Sequence, residues 1–203
     1  ILLSLMPGVI FWLSYNRISK ISSRILKLLS FPIIIIVSVG GGFTILSLIG
    51  EFNFESLIKE ASVKQNDLKQ SYYNGSSFDI GTYEPTIAGA LKVAPKALYA
   101  SLYRPTFLDA KNPQMILSAL ENFILIAMSI WVVFKNRFFG VFKLLFDNPI
   151  LLFSLSYSIL LAVLIGLSTA NFGALIRFKI AFAPFFATTI MQLYTLSNRK
   201  KTI

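Results

Sequence analysis

The chain contains no cysteine and no histidine. The first absence excludes disulfides, iron–sulfur clusters and thiolate nucleophiles within this chain. The second removes the commonest general base and the commonest metal ligand. Acids are scarce too: nine Asp and Glu stand against nineteen Lys and Arg. Charged residues make up only 14% of the 203, where soluble domains carry about 25%. No P-loop or dinucleotide fingerprint occurs, which disfavours nucleotide-driven chemistry. Neither a metal nor a cofactor is expected.

Apolar residues are plentiful. They form 55% of the sequence, nineteen of them Phe, and the mean hydropathy is +0.70. This composition predicts an all-α, polytopic transmembrane bundle whose partners are membrane lipids. The net charge of +10 is then read as cytoplasmic loops enriched in Lys and Arg, not as a nucleic-acid surface. The first residue is Ile1, with an apolar segment already under way and no basic n-region before it, as a signal peptide would need. The expectation is part of a longer polytopic chain.

Five apolar stretches approach the roughly 20 residues of a span: 1–14 (short), 31–50, 114–134, 149–167 and 178–195. They organise the chain as 1–50, with two spans; 51–113, a long loop; and 114–203, with three spans and a basic tail. Gly40, Gly41 and Gly42 suit close helix packing, a kink or, less directly, a ligand loop. The stretches 15–30, 135–148 and 196–203 are rich in cations and poor in acids, so the positive-inside rule makes them cytoplasmic. Residues 51–113 and 168–177 are then outside. The long loop balances seven acids with seven bases, as a translocated segment does.

Within that loop, 54–72 reads as a helix, with Glu55/Lys59 and Glu60/Lys64 four apart and the acid first. Residues 72–85 are turn-rich and aromatic, and Asn74-Gly75 is a turn signal. In 86–107, Ile87, Leu91, Ala94, Leu98 and Leu102 recur at helical spacing, with Lys92 and Lys96 off that face. This predicts an interfacial helix that Pro95 kinks or divides, with Tyr99 and Tyr103 at headgroup depth. Glu121 and Asn122 fall about two turns into the next span, where an acid rarely faces lipid. Glu121 either pairs with Arg177 across neighbouring helices or belongs to a ligand site. Arg177 and Lys179, at the outer end of the last span, either snorkel to headgroups or serve a function; Lys179 fits snorkelling better.

Two stretches, APKALYASLYRPTFLDAKNPQMILSALENF and NFGALIRFKIAFAPFF, resemble uncharacterised bacterial, Bacteroidetes-like, polytopic inner-membrane proteins. These are similar in layout to surface-polysaccharide polymerases, O-antigen ligases and lipid-linked-sugar glycosyltransferases. The resemblance covers the Arg104-Pro105 and Glu121-Asn122 segments and the later Asn171, Gly173, Arg177 and Pro184. The absence of His departs from the ligases. What the resemblance implies is a multi-pass protein of the bacterial inner membrane, C-terminus cytoplasmic, that acts on polyprenyl-diphosphate-linked sugars at the outer face. Arg104 and Arg177 would then bind phosphate oxygens bidentately, with Glu121 and Asn171 beside them. Asp79, Glu84 or Asp109 would accept a hydroxyl proton, and Tyr72, Tyr73 and Tyr83 would stack on sugars. The competing expectation is a non-enzymatic subunit or transporter half of a larger complex, built with other membrane subunits. A transporter would carry ionisable groups in broken helices near midmembrane, and only the glycine run hints at that. Whether the chain is an enzyme is left open.

Overall fold

The structure, a computed structural model, describes residues 2–18, 20–23, 25–26, 29–30, 32–34, 36–37, 40–41, 44, 54–70, 72 and 76–199. The expectations for Gly42, Tyr73 and Asn74-Gly75 lie outside them. The described chain is all-α: α1 (Leu2–Ile18), α2 (Phe54–Asp67), α3 (Ile87–Tyr103), α4 (Pro113–Phe146), α5 (Pro149–Ser168), α6 (Phe172–Lys179) and α7 (Ala183–Arg199).

Local chemistry sets where the helices begin. Two Asn-Pro pairs open α4 and α5, each proline at the first helical position, where its missing N–H costs nothing. The Asn112 side chain accepts the Met115 N–H at 2.9 Å, and Asn148 accepts those of Ile150 and Leu151 at 3.2 and 3.4 Å. Thr86 caps α3 by accepting from Gly89 at 3.1 Å. Asn171 caps α6 by accepting from Gly173 and Ala174 at 2.8 and 3.3 Å. All four satisfy amide donors that a helix leaves open at its first turn.

Among the described residues two helices are long and apolar enough to cross a membrane, α4 and α5, or three if the bent pair α6 and α7 is one span. This corrects the expected five. Helix α1 has 17 residues and contains Pro7, short of the usual span. Most of 31–50 lies outside the described residues. The stretch 178–195 is not one straight helix: α6 and α7 meet at 64°. Helix α4, at 34 residues, is two helices merged across Arg137, where φ is 55°. That break falls in the basic stretch 135–148.

The chain divides into two compact units: residues 1–51, 128–158 and 185–203 form one, and residues 52–127 and 159–184 the other. The first has an apolar core of Ile18, Val132, Leu144, Leu145, Phe146, Leu151, Leu152 and Leu193. The second is built on α2, α3, α6, the first part of α4 to Ala127 and the last part of α5 from Ile159. Its core includes Ile58, Phe78, Ile80, Ala97, Met115, Phe172 and Leu175.

Helix α3 presents two different faces. It runs unbroken through Pro95 and buries mostly small residues, Ala90, Val93, Ala97, Ala100 and Ser101, together with Leu102, leaving Ile87 and Leu91 exposed. Close approach explains the choice. A Cβ placed on Gly166 of α5 would lie 2.3 Å from the Ala97 carbonyl oxygen, so the two backbones meet where only small residues fit.

Candidate functional site

The chemistry of the second unit gathers around the end of α3. An isolated antiparallel bridge joins Ser77 to Asn171. The Phe78 N–H donates to Ala170 O at 2.8 Å and the Phe172 N–H to Ser76 O at 2.9 Å. This brings the Phe78 and Phe172 rings to 4.9 Å. The Arg104 guanidinium lies over both, 5.4 and 5.0 Å from their centroids, a cation–π arrangement.

Arg104 is extended at φ −102°, ψ 154°, as a residue before proline should be. Its Nε and Nη2 donate to the two Asp109 carboxylate oxygens at 3.0 and 2.5 Å. Asp109 also accepts from the Thr106 amide at 2.8 Å and its hydroxyl at 2.9 Å. Partial burial works against the Asp109 charge. The bonds from Arg104 and Thr106 outweigh it and hold the carboxyl at about 2. Arg104 and Asp109 therefore form one ion pair at the turn between α3 and α4.

Lys179, expected to snorkel, is only 8% exposed. Its Nζ donates to Leu102 O at 3.0 Å, Arg104 O at 3.1 Å and Asn122 Oδ1 at 2.7 Å. Asn122, 4% exposed, in turn donates to Pro105 O at 2.8 Å. The lysine thus satisfies carbonyls that α3 leaves open at its C-terminal end. The expected pairing of Glu121 with Arg177 is not found: among the described residues no ion pair joins them. Glu121 is exposed. Arg177 is exposed and its Nε donates to Gly173 O at 3.2 Å. Helical register separates the neighbours on α4. Asn122 follows Met115 and Ala119 on the buried face, while Glu121 lies among exposed Leu117, Leu120 and Ile124. That spacing was legible in the sequence, and it points to Asn122, the residue that reading passed over.

The remaining candidates separate as follows. Asn171 is the α6 cap and bridge partner already described. Glu84 is exposed. Tyr72 donates to Asp67, and Tyr83, half-buried, donates to Leu167 O at 3.0 Å. Burial raises the Tyr83 pKa. Asp79 is exposed and pairs with Lys69 at 2.6 Å, accepting also from the Gly81 N–H at 2.9 Å. The hydrogen bond from Lys69, then that from Gly81, lowers its pKa.

Asp79 and Arg104 meet in a cleft of about 330 Å³. Its floor holds Ile80 and Ala100, and one wall is the α3 face of Pro95, Lys96 and Tyr99. Lys96 and Tyr99 were read only as interfacial residues. Their separation of three on one helix puts them on a common face. The cleft thus combines two cations, a carboxylate and an aromatic ring. Among the described residues no cluster of His, Cys, Asp or Glu is arranged to hold a metal ion. Neither a family model, nor a curated protein, nor a solved structure matches the chain.

Proposed function

We propose that this chain is a multi-pass protein of the bacterial inner membrane that handles polyprenyl-diphosphate-linked sugars at the outer face during assembly of cell-envelope glycans. The observation that carries this reading is the cleft between residues 79–80 and α3. Cations suit a phosphate, a tyrosine ring suits the face of a sugar, and an ionised carboxylate accepts hydrogen bonds from hydroxyls. The alternation of basic stretches supports the assignment of residues 51–113, and the cleft with them, to the outer side.

The electrostatics favour holding the substrate over transforming it. An efficient general base has a pKa near the working pH, whereas those of Asp79 and Asp109 are lowered. Asp109 is also engaged by Arg104 and Thr106, and Glu84 does not line the cleft. Asp79 is thus assigned to orient a sugar hydroxyl, and no bond-breaking step is assigned to these carboxylates.

The test is deletion of the gene in its source bacterium, followed by gel profiling of lipid-linked and surface glycans. The expected result is shortened or missing glycans, restored by the wild-type gene. An unchanged profile would overturn this reading in favour of a non-enzymatic subunit or a transporter half.

A further inference from the structure

We infer that Lys96, not Arg104, is the phosphate-binding cation of the cleft, and that the exposed stripe Ile87, Leu91, Pro95 and Tyr99 leads an attached isoprenoid chain away from it. This deepens the proposed function and rests on it for the nature of the ligand.

The assignment begins with which charges are already committed. Arg104 gives Nε and Nη2 to Asp109 and stacks over Phe78 and Phe172, so its charge is already paired at the turn. Lys69 is committed to Asp79 at 2.6 Å. Lys96 is exposed, lines the cleft, and among the described residues forms no ion pair or hydrogen bond. Its ammonium carries three donors that an incoming phosphate meets without breaking an existing pair. Asp79 Oδ1 takes both bonds, from Lys69 and Gly81, which leaves Oδ2 to accept from a hydroxyl.

Size and surface define the rest of the ligand. At about 330 Å³ the cleft sits at the lower end of small-molecule sites, enough for one phosphorylated sugar head and too little for an oligosaccharide. Tyr99, half exposed at 52%, supplies a ring face for it. Steps of four residues then carry an apolar line from Tyr99 and Pro95 to Leu91 and Ile87, which are 67% and 52% exposed, because residues four apart share a helix face. A soluble sugar phosphate would use only the cleft; an isoprenoid-linked one would use the line as well.

The experiment measures binding of farnesyl diphosphate and inorganic pyrophosphate to the full chain in detergent, each variant first checked for an unchanged unfolding midpoint. Lys96→Gln is expected to weaken both probes about tenfold, the loss of one charge-assisted bond. Lys92→Gln, one helical turn before Lys96 and outside the cleft lining, should stay within about twofold. Leu91→Asn should weaken farnesyl diphosphate and leave pyrophosphate unchanged. Wild-type binding of pyrophosphate by Lys96→Gln, or no binding of either probe by the wild-type chain, overturns the assignment. Equal effects of Leu91→Asn on both probes overturn the isoprenoid path. The glycan profile of the deletion strain is read separately. Normal glycans with Lys96-dependent binding would sink the proposed function and keep the site, and shortened glycans without that binding would do the reverse.

Discussion

The two units differ in where their most deeply buried polar groups find partners. In the unit of residues 1–51, 128–158 and 185–203, the buried hydroxyls of two mid-helix residues return to the carbonyls of their own helix, and the buried Ser197 hydroxyl accepts from Asn136 across the chain at 2.6 Å. Ser158 donates to Ser154 O at 2.7 Å and Thr189 to Phe185 O at 2.8 Å. In the other unit they reach across the chain: Lys179 to Leu102, Arg104 and Asn122, Asn122 to Pro105, and Tyr83 to Leu167. Seven of the nine acids also fall there. A helix in hydrocarbon must satisfy its backbone within itself, and the Ser158 and Thr189 hydroxyls keep to their own helices in the same way. The second unit uses polar side chains to fix the path of connecting segments, which is what a cleft on a loop requires.

The largest expected break in that contrast comes from Lys179→Met set against Arg177→Met. The methionine keeps the volume of Lys179 but strands three acceptors, two of them backbone carbonyls at the end of α3. A buried acceptor left unpaired costs about 1–3 kcal/mol, and the three are not additive, so a loss of about 3 kcal/mol is expected. Arg177 is exposed, and its replacement should stay within about 0.5 kcal/mol. Thermal unfolding in detergent, with hydrogen exchange over residues 102–109, measures both. Similar losses for the two variants would mean that the buried lysine network does not hold the turn.

A smaller effect separates two glycines, one from each unit. Alanine at Gly166 would put its Cβ 2.3 Å from the Ala97 backbone oxygen, while alanine at Gly8 would meet the Phe153 ring at 2.4 Å. A ring can rotate away, but a carbonyl inside α3 cannot move without moving the helix. Overpacking costs about 1–3 kcal/mol and replacing a helical glycine by alanine returns up to about 1 kcal/mol. Gly166→Ala should therefore destabilise by about 2 kcal/mol and Gly8→Ala by less than 1 kcal/mol. A stabilised Gly166→Ala protein would show that α3 and α5 do not pack this closely.

Apolar runs made α4 and α5 legible in the sequence, and the Asn-Pro starts, local signals too, were there to be read and were not. The α2 helix was legible from its i,i+4 charge pairs. The buried face of α3 was not. Periodicity gave Ile87 and Leu91 an interfacial side, but the face that packs inside the unit is set by close approach to Gly166, a residue some seventy positions away. Lys179 was misread for the same reason: its acceptors lie 57 to 77 positions earlier in the chain. Of the site, Asp79, Arg104 and Asp109 were singled out in the sequence as chemical groups. Only the fold distinguishes the pair that closes the turn from the carboxylate that lines the cleft.

The smallest expected effect is a pH dependence that belongs to the second unit. Asp109 titrates at about 2 in the folded protein, against about 3.9 for an ordinary aspartate. The folded value is depressed, so the stabilisation is fully present above the unfolded pKa and disappears as the pH falls through the folded one. The window therefore runs from about pH 5 down to about pH 2. Between pH 6 and pH 3 roughly 1 kcal/mol should be lost through this group. The Asp79 pair also lowers a carboxylate pKa but adds little, because that side chain is 71% exposed and solvent screens it. Asp109→Asn keeps the shape and removes the titration, so its unfolding midpoint should be lower than wild type at pH 7 and change less between pH 6 and pH 3. Hydrogen exchange at residues 104–109 should follow the same window in the wild-type protein alone. If the variant keeps the full acid slope, the sensitivity arises from other carboxylates and the Arg104–Asp109 pair does not stabilise the turn through its charge.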